Sequence, residues 1–190
     1  MKMLFCSTAL IAAMAVPAFG QEESAPAEDG AATAEMAASG ATAQATLEGD
    51  GIEGTVTFTE TPTGIMIVEI EASGLEPGPH GVHLHQTGSC DAEGGHESAG
   101  GHIAGEGEHG VMNENGPHPG DLPNVHVQDD GIAHAEFFVG DVTITAEGPA
   151  TLMDDDGSAF VIHAGPDDYT TDPAGDSGDR IACGVIEQAT

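Results

Sequence analysis

The sequence predicts an all-β domain, an antiparallel Greek-key sandwich or flattened barrel of about eight strands that carries two long functional loops. Three observations lead there. Short runs rich in β-branched and aromatic residues recur from residue 42 onward. Gly, Pro or Asp-Gly steps separate them. No stretch sustains the apolar period of an amphipathic helix.

Two segments precede this domain. Met1-Lys2, an apolar run from Met3 to Val16 and the small-residue exit Ala18-Phe19-Gly20 before Gln21 predict a signal peptide over residues 1–20. The run is too short and too early for a membrane-spanning helix. Residues 21–42 are mostly Ala, Glu, Ser, Gly and Thr, too poor in large apolar groups to offset the entropy of ordering, and predict a flexible acidic leader. Residues 43–190 have the length of one ordinary domain with a core.

Within the domain, Thr42–Glu48 opens the strand series. Gly54–Thr61 places Val56 and Phe58 on one face by alternation, and Gly64–Glu71 follows a turn centred on Pro62, so the two runs predict a hairpin. Further strands are predicted at Val82–Gln86, Asn124–Gln128, Ala133–Val139, Asp141–Ala146 and Ser158–His163. Two stretches interrupt the rhythm, Thr87–Pro123 and Ala164–Asp179. Loops this long in a compact domain tend to carry function, and these hold or border most of the histidines.

Charge and cysteine content narrow the partners and the compartment. Apart from Lys2, which leaves with the signal, Arg180 is the single Lys or Arg against 33 Asp plus Glu. Such an acidic chain excludes nucleic acid and anionic membrane surfaces as partners. Cys6 also lies within the signal, leaving Cys90 and Cys183 as an even pair in a chain bound for an oxidising compartment, periplasmic or secreted. One disulfide, Cys90–Cys183, is predicted, and the chain-entropy description assigns so long a loop about 4–5 kcal/mol.

The chemistry is written in histidines. His83 and His85, one residue apart, face the same side of a strand. Partners come from elsewhere: His102, His109, His118 and Asp121 lie on the first long loop, and His163 ends a strand. Three imidazoles and a carboxylate close a tetrahedral site of the kind that holds structural zinc. Four imidazoles, His83, His85, His102 and His163, make a nitrogen-rich set that suits Cu(II). His102 belongs to both sets, and an imidazole without either proton can bind one metal through each ring nitrogen.

Gly81-Val82-His83-Leu84-His85, Ser98-Ala99-Gly100-Gly101-His102, Gly116-Pro117-His118, Gly120-Asp121-Leu122-Pro123-Asn124, Val161-Ile162-His163 and Asp179-Arg180-Ile181-Ala182-Cys183-Gly184 together resemble the bacterial periplasmic copper/zinc superoxide dismutases, from about residue 43 to the C-terminus. The resemblance implies copper on His83, His85, His102 and His163, and zinc on His102, His109, His118 and Asp121. It also implies the Cys90–Cys183 disulfide. Asp167 matches a carboxylate that hydrogen-bonds one histidine of each metal, and Arg180 matches the arginine that holds the anionic substrate. The implied reaction converts superoxide to dioxygen and hydrogen peroxide by redox cycling of copper, with His102 taking up and returning a proton. A homodimer is compatible with the resemblance, since relatives differ in oligomeric state.

The chain departs from the family pattern after His102, where relatives usually carry an aromatic-Asn-Pro sequence. Here Ile103-Ala104-Gly105 follows, and the interval to His109 is one residue shorter than usual. His80 is expected to make structural hydrogen bonds, whereas His96, His126 and His134 are read as surface or packing positions. The alternative reading is a periplasmic copper/zinc binding or storage protein on the same scaffold. Arg180 and His163 discriminate, because storage requires neither in this arrangement.

Overall fold

Strict alternation builds the first wall of the molecule. Ala43, Ala45 and Leu47 are fully buried between outward neighbours, and Met66, Val68, Ile70 and Ala72 repeat the pattern. In this computed structural model, which describes residues 40–144 and 150–189, nine strands follow in order. They are β1 (Thr42–Gly49), β2 (Glu53–Glu60), β3 (Met66–Ser73), β4 (Gly78–His80), β5 (Val82–His85), β6 (Val125–Val127), β7 (Ala133–Val139), β8 (Ala159–His163) and β9 (Arg180–Gln188). The predicted signal peptide and most of the leader lie outside the described residues.

Seven strands form one antiparallel sheet in the order β5-β8-β9-β1-β2-β3-β7, and β4 pairs with β6 separately. The predicted hairpin is β2–β3, in register from Glu53↔Ser73 to Glu60↔Met66. After β3 the chain crosses to the opposite edge for β5, returns to β7 beside β3, and crosses again to β8. Those crossings give the Greek-key connectivity. Phe58 on β2 and Phe160 on β8 are three places apart in the sheet, yet their rings meet at 6.3 Å, so the sheet curls around its core. Burying each of these rings contributes about 1.5–3 kcal/mol.

Three features differ from the expectation. The predicted strand Asp141–Ala146 does not form over its described part: Asp141 turns the chain out of β7 at φ 59°, and Thr143 meets Thr151 in an isolated parallel bridge, its N–H donating to Ala150 O at 2.9 Å and its O accepting from Leu152 N–H at 2.9 Å. Val142 and Ile144 are fully buried all the same, so their period-two spacing marks core plugs rather than a ladder. Strand β9 was hidden by its small residues Ala182 and Gly184. A Cβ at Gly184 would lie 2.5 Å from the carbonyl of Thr46 on β1, which is why glycine stands there. The three-residue β4 has no counterpart among the predicted strands, since Pro77 before it and Pro79 within it obscure any strand pattern.

Strand β8 is buried on both faces. Phe160 and Ile162 enter the main core, while Ala159 and Val161 pack with Ala99, Cys183 and Cys90 under the first long loop. That loop therefore lies on the outer face of the sheet. The side chains of β5 split the same way: Val82 and Leu84 join the core, which leaves His83 and His85 for the loop side.

Candidate metal centre

The free edge of β5 is where the loop docks. Leu84 N–H donates to Gly120 O at 2.9 Å and Leu84 O accepts from Ile103 N–H at 2.9 Å, while Gln86 N–H donates to Gly101 O at 3.0 Å. These bonds set His85 opposite His102 and His83 opposite Asp121 as antiparallel bridges. An exposed edge is thus satisfied and two site residues are placed by the same hydrogen bonds. His163 arrives from β8, the neighbour of β5.

The four nitrogens of the first set converge. The His83 ring centroid is 4.0 Å from that of His102 and 4.8 Å from that of His163, and His85 lies 4.9 Å from His102 and 5.9 Å from His163. One nitrogen of each ring is fixed from outside. His83 Nε2 donates to Asp167 Oδ2 at 2.7 Å, His85 Nδ1 to Gly100 O at 2.9 Å, and His163 Nδ1 to Gly178 O at 3.1 Å. The opposite nitrogens, His83 Nδ1, His85 Nε2, His102 Nε2 and His163 Nε2, are buried without a hydrogen-bond partner, and these four residues offer donor atoms within 4.8 Å of one another. Buried polar atoms are nearly always satisfied. Four orphaned lone pairs facing one point fit a cation.

The second set is organised by a single carboxylate oxygen. Asp121 Oδ1 lies 2.9 Å from His102 Nδ1, 3.0 Å from His109 Nδ1 and 3.3 Å from His118 Nδ1. Ligands held about 2.0–2.1 Å from a tetrahedral zinc are about 3.3 Å from each other, so these separations match the edges of such a tetrahedron. The other oxygen, Asp121 Oδ2, accepts from the backbone N–H groups of Gly110 and His118 at 2.8 and 2.9 Å.

Asp167 joins the two sets, with Oδ2 on His83 and Oδ1 on His109 Nε2 at 3.0 Å. Carboxylates in this position fix the tautomer and orientation of metal-binding imidazoles. Asp167 is itself held by Asn124, which donates through Nδ2 to Asp167 O at 2.9 Å and accepts from Asp167 N–H at 2.8 Å. Tyr169 N–H reaches Asp167 Oδ1 at 2.6 Å, and the Tyr169 hydroxyl accepts from Asn124 N–H at 2.8 Å. Gly175, at φ 68°, passes so close that a Cβ there would overlap the Asp167 carboxylate.

Burial dominates the electrostatics. It lowers the His83 pKa to about 3, against the opposing effect of the hydrogen bond His83 donates to Asp167. Burial likewise takes His85 to about 2 and His163 to about 4, with the charge of Arg180 adding to both, and it lowers His102. The carboxylates are lowered too, but by their partners and not by burial: burial of Asp121 would raise its pKa, and hydrogen bonds from His102 and the Gly110 and His118 amides bring it down to about 2. Asp167 is depressed further, since the His83, His109 and Tyr169 bonds outweigh its burial. Neutral imidazoles beside ionised carboxylates are the protonation states that metal ligation requires.

Cys90 and Cys183 form the predicted disulfide, tying the loop to β9. Arg180 opens β9 opposite His163. Its Nη1 donates to His96 O at 2.9 Å, and its Nη2 lies 3.6 Å from Glu97 Oε2 on the short 3-10 turn Glu97–Ala99.

The family model for copper/zinc superoxide dismutase matches residues 52–186. The chain is 43% identical to the Cu-Zn superoxide dismutase of Caulobacter vibrioides over 143 residues, covering 73% of this chain and 81% of that protein. It is 42% identical to Cu-Zn superoxide dismutase 1 of Aquifex aeolicus, covering 67% and 76%. The chain belongs to the copper/zinc superoxide dismutase family. Among solved structures, a superoxide dismutase-like protein from Bacillus subtilis superposes with a TM-score of 0.71 at 37% identity, over 75% of this chain and 96% of that one.

Where the chain departs from the superoxide dismutase pattern, the fold compensates. Ile103, in place of the usual aromatic residue, joins the hydrophobic core and is 9% exposed. The shortened interval still delivers His109, fully buried, to Asp121 and Asp167, and Asp172 Oδ1 accepts its backbone N–H at 2.9 Å. His80 links two carbonyls, His163 O at 2.7 Å and Glu76 O at 2.8 Å. His126 and His134 are exposed. His96 is not a surface or satisfied residue: it is buried, and its Nδ1 has no partner. The sequence reading also missed Asn124, Tyr169 and Gly175. Asn124 stood inside a quoted motif, but its reciprocal bonds to Asp167 cross 43 residues of chain and leave no local signal.

Proposed function

We propose that this superoxide dismutase holds copper on His83, His85, His102 and His163, and zinc on His102, His109, His118 and Asp121, with Arg180 receiving the anion. The protein converts superoxide to dioxygen and hydrogen peroxide, with copper and zinc as cofactors. The observation that carries the residue assignment is the convergence of four buried, unpartnered imidazole nitrogens next to a second set gathered on Asp121 Oδ1.

When bound, copper supplies the one-electron exchange and zinc supplies order. The side chains do the rest. Arg180, the sole Lys or Arg among the described residues, retains N–H groups beyond the one given to His96 and attracts a small anion to the site. His102 holds or releases a proton at Nε2, on the copper side, while Nδ1 stays beside Asp121 on the zinc side. Asp167 keeps His83 and His109 in the tautomers that present Nδ1 inward. The carbonyls of Gly100 and Gly178 do the same for His85 and His163, presenting Nε2.

Residues 1–20 act as a signal peptide and residues 21–42 as a leader, delivering the domain of residues 43–190 to the periplasm or the exterior. The disulfide supports an oxidising compartment. No helix among the described residues is long and apolar enough to cross a membrane. Mass measurement of the mature protein tests the cleavage, with Gln21 expected as its first residue.

Elemental analysis alongside a superoxide assay, before and after copper removal, tests the site. One copper and one zinc per chain with copper-dependent turnover supports the assignment. Bound metal without turnover would replace it with the storage reading.

A further inference from the structure

Arg180 does not face its anion alone. One open cavity is lined by His163, Arg180, His96, Glu97 and Gly178, so the cation, one proposed copper ligand and the 3-10 turn share the same approach. The Glu97 carboxylate lies 3.6 Å from Arg180 Nη2 and is 77% exposed on its side chain, whereas that of Arg180 is only 15% exposed. The neighbouring His96 adds no compensating positive charge, because burial and then Arg180 itself hold its pKa below the ordinary value. Elsewhere among the described residues there is no other Lys or Arg to restore a positive field.

We infer that Glu97 is a built-in counter-ion that competes with the incoming anion for Arg180, and so sets the protein's affinity for small anions. An exposed carboxylate within 4 Å of a guanidinium offsets part of its field but is free to swing into water, unlike the His96 carbonyl, which the turn fixes. The carbonyl orients Arg180 and the carboxylate tempers it. This inference rests on Arg180 as the anion site.

The test is azide binding to the copper-loaded protein, followed by its absorption band at 10 mM and 500 mM salt. Glu97→Gln is expected to bind azide about 2- to 5-fold more tightly at low salt, the range of an exposed ion pair. The gain should vanish at high salt, because screening shortens the reach of the lost charge from about 30 Å to a few ångströms. Glu97→Asp, which keeps the charge, should stay near wild type. Glu136→Gln, on the far edge strand β7, controls for the change in net charge and should leave affinity unchanged. A Glu97→Gln affinity equal to that of Glu136→Gln, weaker than wild type, or raised equally at both salt levels would overturn the inference. Arg180→Ala separates the two ideas. If it fails to weaken azide, the anion-site reading falls. If it weakens azide while Glu97→Gln does not tighten it, only the counter-ion role falls.

Discussion

The two donor sets are held by different physics. His83, His85 and His163 stand on β5 and β8, neighbours in a hydrogen-bonded ladder whose other face is core. His102, His109, His118 and Asp121 all come from the loop between β5 and β6, and what gathers them is a carboxylate oxygen, backbone amides and the Asp167 bridge. Strands fix ligands by burial. Loops fix them by charge and hydrogen bonds.

Acid should separate the halves most strongly. In the metal-free protein, the pKa values of His83, His85 and His163 are lowered from 6.5 to about 3, 2 and 4, so below about 6.5 the unfolded chain takes up protons that the native state refuses. Their stabilising contribution is complete above that pH and is lost below it, at about 1.4 kcal/mol per pH unit each, or about 4 kcal/mol per unit together. Asp121 and Asp167 are depressed from 3.8, so their contribution persists to about pH 4 and fades only below it. Urea unfolding should therefore be flat above pH 7 and fall steeply toward pH 5. A flat profile down to pH 5 would mean the strand histidines are not held neutral by burial.

Arg180→Ala comes next. It belongs to the strand wall yet ligates nothing in the proposed assignment, so both metals should stay bound. The superoxide rate should fall on the order of 100-fold, the scale of two unit charges about 5 Å apart at an effective dielectric near 20. Equal rates in variant and wild type would remove Arg180 from the reaction.

Much of the strand half was legible in the sequence. Alternation in Val82-His83-Leu84-His85 puts both histidines on one face of a strand, and the structure sends Val82 and Leu84 into the core on the other. The loop half was less legible: residue types grouped His102, His109, His118 and Asp121 as a zinc-like set, but Asp167 entered only through the resemblance, because nothing local says which imidazoles it meets. Asp141–Ala146 shows the opposite failure. Its apolar period was real, but Val142 and Ile144 satisfy burial without a ladder partner. Sequence periodicity reports which side chains are covered, not what the backbone bonds to.

Gly175→Ala probes the loop half on its own. The added Cβ would push against the Asp167 carboxylate and His109 Nε2. Zinc affinity, measured by competition with a chelator, should drop about 10- to 100-fold, the usual cost of disturbing such supporting bonds. Copper should be affected less, since His85 and His163 are oriented by the Gly100 and Gly178 carbonyls. Equal losses of both metals would show that the two halves do not act independently.

The smallest effect is that of salt. With 33 Asp plus Glu in the chain, an approaching anion meets net repulsion that screening removes, while the local pull of Arg180 acts at short range. The superoxide rate should rise or stay level as salt increases from low values. A steep fall would mean that long-range attraction, not repulsion, governs approach.

Strand β9 carries a consequence for folding. It is the last of the described strands in chain order, yet it lies between β8 and β1, pairing Ala43 with Gln188 at one end and His163 with Arg180 at the other. A chain still short of residue 188 lacks the strip that joins β1 to β8 and β5, the strands that carry His83, His85 and His163. Closure of the sheet rests on pairings between distant parts of the sequence, the arrangement that makes folding slow.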